Sequence, residues 1–450
     1  MHGEAAGTWL PKVIFGWDPL WVSSILFVAT YVVIITERVN RAIVSLLGAG
    51  AMIFAGILNQ QTAIRGIDFN TLGLLTGMMV IVAVTRRCGV FQYVAIWSAK
   101  KVDARPWGIL LMLSMVTALF SSFLDNVTTV LLIAPVTLLI TEELGVHPYP
   151  FLFSEILFSN IGGTATLIGD PPNIMIGSAA HLSFVDFLLN LTPVVLIIMA
   201  ATLVPIYLFY GRKLRATEEA RQRVLKFDER EAITDPRLLK QSLAVLSLVI
   251  LGFVLAHILH VEPATVAMFG AALLLLLDNW TRKSEDQSRN VHHAFSEVEW
   301  VTIFFFVGLF IVVHGIDRAG VLTIMAHEVL ALTGGSMAVT AMTVMWVSAV
   351  ASSIVDNIPF VATMIPLIKS MAPSFGGTHQ LLPLWWSLAL GACLGGNGSI
   401  IGASANLIVA GFSERAGYPI RFIPFLLQAF PLMLLSVAIA SAYVYARYLM

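Results

Sequence analysis

Apolar positions fall into long runs separated by short polar stretches, and these runs predict membrane-spanning helices. The first run covers residues 21–35, followed by 43–58 and 72–85. After an amphipathic stretch come apolar segments at 107–141, 150–180 and 191–210. The same order returns at 241–259, 264–279, 300–316, 338–370, 384–412 and 422–446. Two segments in each half are interrupted from within. Segments 107–141 and 338–370 exceed one span and carry Asp125-Asn126 and Asp356-Asn357. Segments 150–180 and 384–412 are broken at Gly162-Gly163, Gly169 and Pro171-Pro172, and at Gly395-Gly396 and Gly402.

The halves align position by position. At an offset of 231, Gly77, Arg87, Gly89 and Asp125 fall on Gly308, Arg318, Gly320 and Asp356. At 233, Gly162-Gly163-Thr164-Ala165-Thr166 falls on Gly395-Gly396-Asn397-Gly398-Ser399, and Asn173 on Asn406. Such a duplication predicts an all-α polytopic membrane protein with a first repeat at 1–211, a linker at 212–240 and a second repeat at 241–450. Each repeat has a discontinuous helix and an Asp-Asn segment that reads as a re-entrant hairpin or as two full spans. With hairpins, the chain makes about 10 spans plus 2 hairpins.

Charge sets the relative orientation. Residues 86–105 hold Arg86, Arg87, Lys100, Lys101 and Arg105, whereas their counterparts at 317–336 hold only Arg318. The loop at 59–70 has only Arg65, whereas 281–298 has Arg282, Lys283 and Arg289. Lys and Arg accumulate on the cytoplasmic side, so equivalent loops face opposite sides and the repeats are inverted. The linker, with nine Lys and Arg, is then a solvated cytoplasmic tether too short for its own core, and both chain ends face outward.

Composition agrees: 58% of the 450 residues are hydrophobic and only 12% are charged. A net charge of −1 gives no basis for nucleic-acid binding. Cys88 and Cys393 read as small buried hydrophobes, and two cysteines cannot supply a three-thiolate metal site. The first 17 residues, ahead of the first run, lack a signal-peptide pattern.

A carboxylate at membrane depth costs roughly 2.5–3.5 kcal/mol on insertion scales, so it commonly lines a pathway. Asp125 and Asp356 are therefore candidate site residues with Asn126, Thr128 and Asn357. As helix caps alone they could be Ser or Thr. The glycine breaks free backbone groups at the midplane and add Gly163, Thr164, Thr166, Asn173, Gly396, Asn397, Ser399 and Asn406. Asp125, Asp356 and Asp170 are the proton-coupling candidates. Asp170 has Ala403 as its counterpart and reads as a proton carrier or as a cap. Glu155 reads as a helper in a proton path or as a side chain reaching the interface. An intramembrane aspartyl protease needs Gly-x-Gly-Asp, and Leu167 stands where its first Gly belongs. The chain is read as a transporter, not an enzyme, with no cofactor and no metal.

At Leu124-Asp-Asn-Val-Thr-Thr, Val355-Asp-Asn-Ile-Pro, Gly169-Asp-Pro-Pro-Asn and the run Gly395 to Asn406, the sequence resembles the ion transporter superfamily. Within it, the chain is similar to the arsenite/antimonite permeases (arsenical pump membrane proteins) and the melanosomal P protein. The resemblance covers nearly the whole chain. It implies a scaffold part, a mobile transport part, two re-entrant hairpins, and substrate held at the hairpin tips beside the broken helices. It also implies a homodimer in the cell's inner membrane and allows a cytoplasmic ATPase subunit as partner. Dicarboxylate carriers of this superfamily have Ser-Asn-Thr at the tips, where this chain has Asp. Two carboxylates repel an anion unless cations or protons neutralise them. Arsenous acid is uncharged near neutral pH and presents three hydroxyls, which suits such a site. The expected function is arsenite and antimonite efflux in exchange for protons, with sodium/proton antiport as the alternative.

Overall fold

The computed structural model describes residues 11, 13–36 and 38–450, and every regular element among them is helical. Residues 1–10, where most of the signal-peptide reading falls, lie outside the described residues. The first repeat forms α1 (Pro19–Ile35), α2 (Arg41–Phe54), α3 (Gln60–Arg65), α4 (Phe69–Arg86), α5 (Val90–Lys101), α6 (Pro106–Phe123), α7 (Asn126–Leu144), α8 (Tyr149–Gly163), α9 (Pro171–Ala180) and α10 (Phe184–Ile206). Helix α11 (Glu218–Leu225) lies in the linker. The second repeat forms α12 (Pro236–Leu259), α13 (Pro263–Asn279), α14 (Ser284–Ser296), α15 (Trp300–Arg318), α16 (Val321–Leu332), α17 (Met337–Ile354), α18 (Asn357–Ser370), α19 (Leu382–Gly395), α20 (Ser404–Arg415) and α21 (Phe422–Val444). Every helix of the first series has a counterpart, in the same order, in the second.

Helix ends follow local chemistry. Asp18, Asn40, Asn59, Ser183 and Asp235 each accept a hydrogen bond from a first-turn backbone N–H. Asp235 with Pro236 behind it starts α12 before residue 241, where the apolar run begins. Helix α2 stops at Phe54 rather than at residue 58, because the chain turns through Gly56 at φ +80° and buries Ile57 and Leu58. Among the described residues, eight helices are long and apolar enough to cross a membrane, and four other apolar helices are shorter.

Equivalent helices run in opposite directions. Helices α10 and α21 each continue into one π-helical turn, Tyr207–Gly211 and Tyr445–Leu449. Tyr210, just past the end of α10, donates to Gln428 near the start of α21. Tyr448, just past the end of α21, donates to Asn190 near the start of α10 at 2.5 Å. Tyr210 matches Tyr448 and Asn190 matches Gln428 at one offset, so the same clasp closes both ends of an antiparallel pair. The repeats are inverted.

Contacts gather into two units that interleave the repeats: 1–72, 299–336 and 362–381 form one, and 73–298, 337–361 and 382–450 the other. In the smaller unit α15 packs on α2, where a Cβ on Gly308 would come within 2.5 Å of the Ser45 backbone. In the larger unit a Cβ on Gly77 would come within 2.7 Å of the Ala267 backbone of α13. These are equivalent positions, so in each unit a helix of one repeat meets a helix of the other. The larger unit also packs α6 on α8 and α17 on α19. There a Cβ on Gly162 would lie 2.2 Å from the Ala118 carbonyl oxygen, and one on Gly395 would lie 2.5 Å from that of Ala349. A single methyl group at either glycine would force the helices apart.

Candidate substrate site

All the expected site residues lie in the larger unit. Between α6 and α7 only Leu124 and Asp125 are extended, and the tip is tied to the break between α8 and α9. The Thr166 hydroxyl in the break donates to the Ser122 carbonyl, and the Ser121 hydroxyl donates to the Ser159 carbonyl at 2.6 Å. The second repeat repeats both bonds: Ser399 to the Ser353 carbonyl at 2.6 Å, and Ser352 to the Ala392 carbonyl at 2.7 Å. Helices α8 and α9 are short, 15 and 10 residues, with the break between them, and a tip bonded to that break fits a re-entrant hairpin better than a pair of full spans.

Three carboxylates gather at the tips and breaks. Asp125 is half-buried and caps α7, accepting from the Thr128 N–H at 2.8 Å and from the Thr128 hydroxyl. Asp356 is half-buried and accepts from the Ile358 N–H at 3.1 Å and from Ser404 Oγ at 2.7 Å. Asp170 is fully buried at the start of α9, with Asn357 Nδ2 3.3 Å from both of its oxygens. Asn357, next to Asp356 in the chain, ties Asp170 to the second hairpin tip. Capping is thus real at Asp125 and Asp356, but it does not explain why three acids share one site.

An amide network joins the two breaks. Asn126 Nδ2 donates to Asn160 Oδ1 at 3.0 Å. Asn160 Nδ2 donates to Asn397 Oδ1 at 2.9 Å and to Asn406 Oδ1 at 3.0 Å. Asn406 Nδ2 closes its own break on the carbonyls of Gly396 (2.8 Å) and Ser399 (2.9 Å). Asn173 does the same in the first repeat, reaching the Thr166 carbonyl at 2.9 Å and the Thr164 carbonyl at 3.2 Å. Cys393, the counterpart of Asn160, donates its thiol to Asn173 Oδ1 at 3.4 Å, mirroring the bond from Asn160 to Asn406. Freed carbonyls at a helix break need donors, and a buried Asn supplies two N–H groups from one short side chain.

The structure brings Asp125, Asn126, Thr128, Asp170, Asp356 and Asn357 to the hairpin tips and the adjoining break, and gathers Asn173, Asn397, Ser399 and Asn406 around the breaks. Gly163 and Gly396 keep the backbones close: a Cβ on Gly163 would lie 2.5 Å from the Gly169 carbonyl oxygen. Two neutral side chains are already engaged. Thr164 donates back to the Asn160 carbonyl at 2.7 Å, and Asn397 Nδ2 donates to the Leu157 carbonyl at 3.2 Å. Both hold the break together. Three participants lie outside the expected set: Asn160, Cys393 and Ser404. Asn160 opens the motif that ends at Asn173, but its counterpart is Cys393, so a search for matching polar pairs passes over it. Glu155 does not reach the interface, since only 1% of it is exposed.

Two hairpin tips meeting two broken helices, in inverted repeats of an apolar bundle, define a membrane transporter. The citrate transporter family (CitMHS) matches residues 31–391, and the chain belongs to that family. It is 43% identical to an uncharacterized transporter of Mycobacterium tuberculosis, over 95% of this chain and 98% of that protein. It is 42% identical to the 46 kDa membrane protein of Mycobacterium leprae, over 94% and 98%. The P protein of Homo sapiens is 32% identical over 94% of this chain, which spans 59% of that longer protein. The crystal structure of the YdaH transporter of Alcanivorax borkumensis shares the fold, with a TM-score of 0.57 at 14% identity over 94% of this chain and 97% of that one. The resemblance to the P protein and to the wider superfamily is borne out.

Proposed function

We propose that the protein exports arsenite, and antimonite, from the cytoplasm in exchange for protons, by alternating access across the cell's inner membrane. The charge at the site carries this assignment. Segments 121–128, 160–173, 352–359 and 395–406 hold Asp125, Asp170 and Asp356 and no Lys, Arg or His. Arsenous acid brings no charge into that field, and its three hydroxyls can donate to carboxylates. Asp125 and Asp356, half-exposed at the tips, are the acceptors we assign to it. Thr128 and Ser404 orient those carboxylates through the bonds described above. Proton uptake by a carboxylate removes an acceptor and favours substrate release, which couples the two fluxes.

The family's name favours a second substrate, citrate. Its carboxylates would meet three aspartates with no basic side chain to offset them, so it would have to arrive with bound cations or protons. Sodium/proton antiport is the third outcome. In cells lacking their own arsenite exporter, the wild-type chain should lower intracellular arsenite and Asp125→Asn should not. Cation-dependent citrate uptake with unchanged arsenite would replace the proposal.

A further inference from the structure

Glu155 lies on α8, six residues past Tyr149 and five before Asn160. At 1.5 Å of rise per residue it stands about 9 Å along the axis from the start of α8 and about 8 Å from the amide network. Oε1 accepts from the Thr137 hydroxyl on α7, and Oε2 has no hydrogen-bond partner among the described residues. Farther along α7 toward the hairpin tip, the Thr129 hydroxyl is also buried without a partner. Burying a carboxyl group with a single hydrogen bond costs stability, so its presence calls for a reason.

The duplication supplies an internal control. At the same offsets, Glu155 corresponds to Leu388 and Thr137 to Ile368, both fully buried. The fold therefore accepts apolar residues at both positions, and replacing a buried polar pair by well-packed apolar groups is often neutral or stabilising. Asp170 breaks the symmetry in the same way, with Ala403 opposite it. The first repeat alone carries a buried carboxyl group midway along α8 and another at the break that follows.

We infer that Glu155 is a proton-binding site on the route between the Tyr149 end of α8 and the carboxylates at the break. This rests on the proton exchange proposed above. The elements packed against α8 give it no charged partner. Helix α6 carries no titratable side chain. On α7, Glu142 is exposed and Glu143 pairs with Arg223. Asp186 of α10 caps with Ser183, Cys393 of α19 sits beside Asp170, and Glu414 and Arg415 of α20 are exposed. Among the described residues, Thr137 is the one side chain that bonds Glu155. A lone carboxyl group between a helix end and a cluster of acids is suited to take up a proton and pass it on. Its charge changes while its partners stay the same.

The test uses proteoliposomes containing wild-type protein, Glu155→Gln or Glu155→Leu. Gln keeps the bond to Thr137, and Leu is the residue the second repeat uses. Two quantities are read: arsenite exchange at equal pH on both sides, and arsenite accumulation driven by an imposed pH gradient over a range of pH. Both variants should keep exchange near the wild-type rate. Both should lose gradient-driven accumulation by about tenfold or more, with a flattened pH profile. Wild-type accumulation and pH profile in both variants would overturn the inference, as would parallel loss of exchange and accumulation in both, which marks a structural prop. If the wild-type protein itself ignores the pH gradient, the transport proposal fails first, and the two failures are told apart.

Discussion

Removing the Asn160 side chain should weaken the protein through the join between the two breaks. Asn160→Ala deletes three side-chain hydrogen bonds, to Asn126, Asn397 and Asn406, and strands a polar group on each partner. Hydrogen bonds between membrane helices average about 0.6 kcal/mol and reach about 1.7, so three lost together cost about 2 kcal/mol, with an upper bound near 5. A loss of 2 kcal/mol lowers the ratio of folded to unfolded protein by about thirtyfold. Asn160→Cys should be milder, because Cys393 already fills the equivalent position and bonds Asn173. The assay is reversible unfolding of purified protein in mixed micelles by increasing SDS, with transport measured on the same preparations. The expected order of stability is wild type, then Asn160→Cys, then Asn160→Ala, with transport falling in the same order. Wild-type stability and transport in Asn160→Ala would show that the network does not hold the breaks.

If charge sets the orientation as proposed, cysteines introduced near Lys100 and near Ser284 should label from the cytoplasm and one near residue 331 only from outside. Labelling of 100 and 331 from the same face would contradict it. Asp125→Asn and Asp356→Asn keep the size and most of the bonding of each side chain, so both proteins should fold while losing proton-driven accumulation. Intact coupling in both single variants and in the double variant would move the proton to Asp170 or Glu155. Gly89→Ala should release the linker, because a Cβ there would lie 1.7 Å from the Ala232 carbonyl oxygen and the backbone is at φ +79°; unchanged protease nicking at residues 226–235 would refute this. The hydrogen bond from Lys100 holds the Glu229 carboxyl group below the usual glutamate range. A depressed carboxyl group adds stability above its unfolded value, about 4.3, and loses it as pH falls below that. Linker nicking should therefore stay low from neutral pH to about 4.3 and rise at more acid pH.

The duplication and both kinds of helix interruption were legible in the sequence, because Asp125 and Asp356, and the two glycine runs, repeat with only a two-residue change of offset. Hairpins could not be told from spans, because α6 and α7 are 18 and 19 residues long, enough to cross on length alone. What separates the two is the bond from Thr166 to Ser122, a contact made 44 residues apart. The amide network stayed hidden for a different reason. It joins Asn160 of one repeat to Asn397 and Asn406 of the other, and no local pattern encodes a contact across 237 or 246 residues. The interleaved units were equally hidden, since two of the five boundaries between them fall inside the continuous helices α4 and α18.

Uptake by everted membrane vesicles under an imposed pH gradient, with arsenite, citrate and sodium compared side by side, bears most directly on the central claim. Vesicles made acid inside, so that the gradient runs as it does in the cell, should accumulate arsenite, lose that accumulation when the gradient is collapsed, and take it up at the same rate with or without sodium. Asp125→Asn vesicles should not accumulate it. Uptake of citrate or sodium under the same gradient, with no accumulation of arsenite, would contradict the assignment of an uncharged substrate to this site.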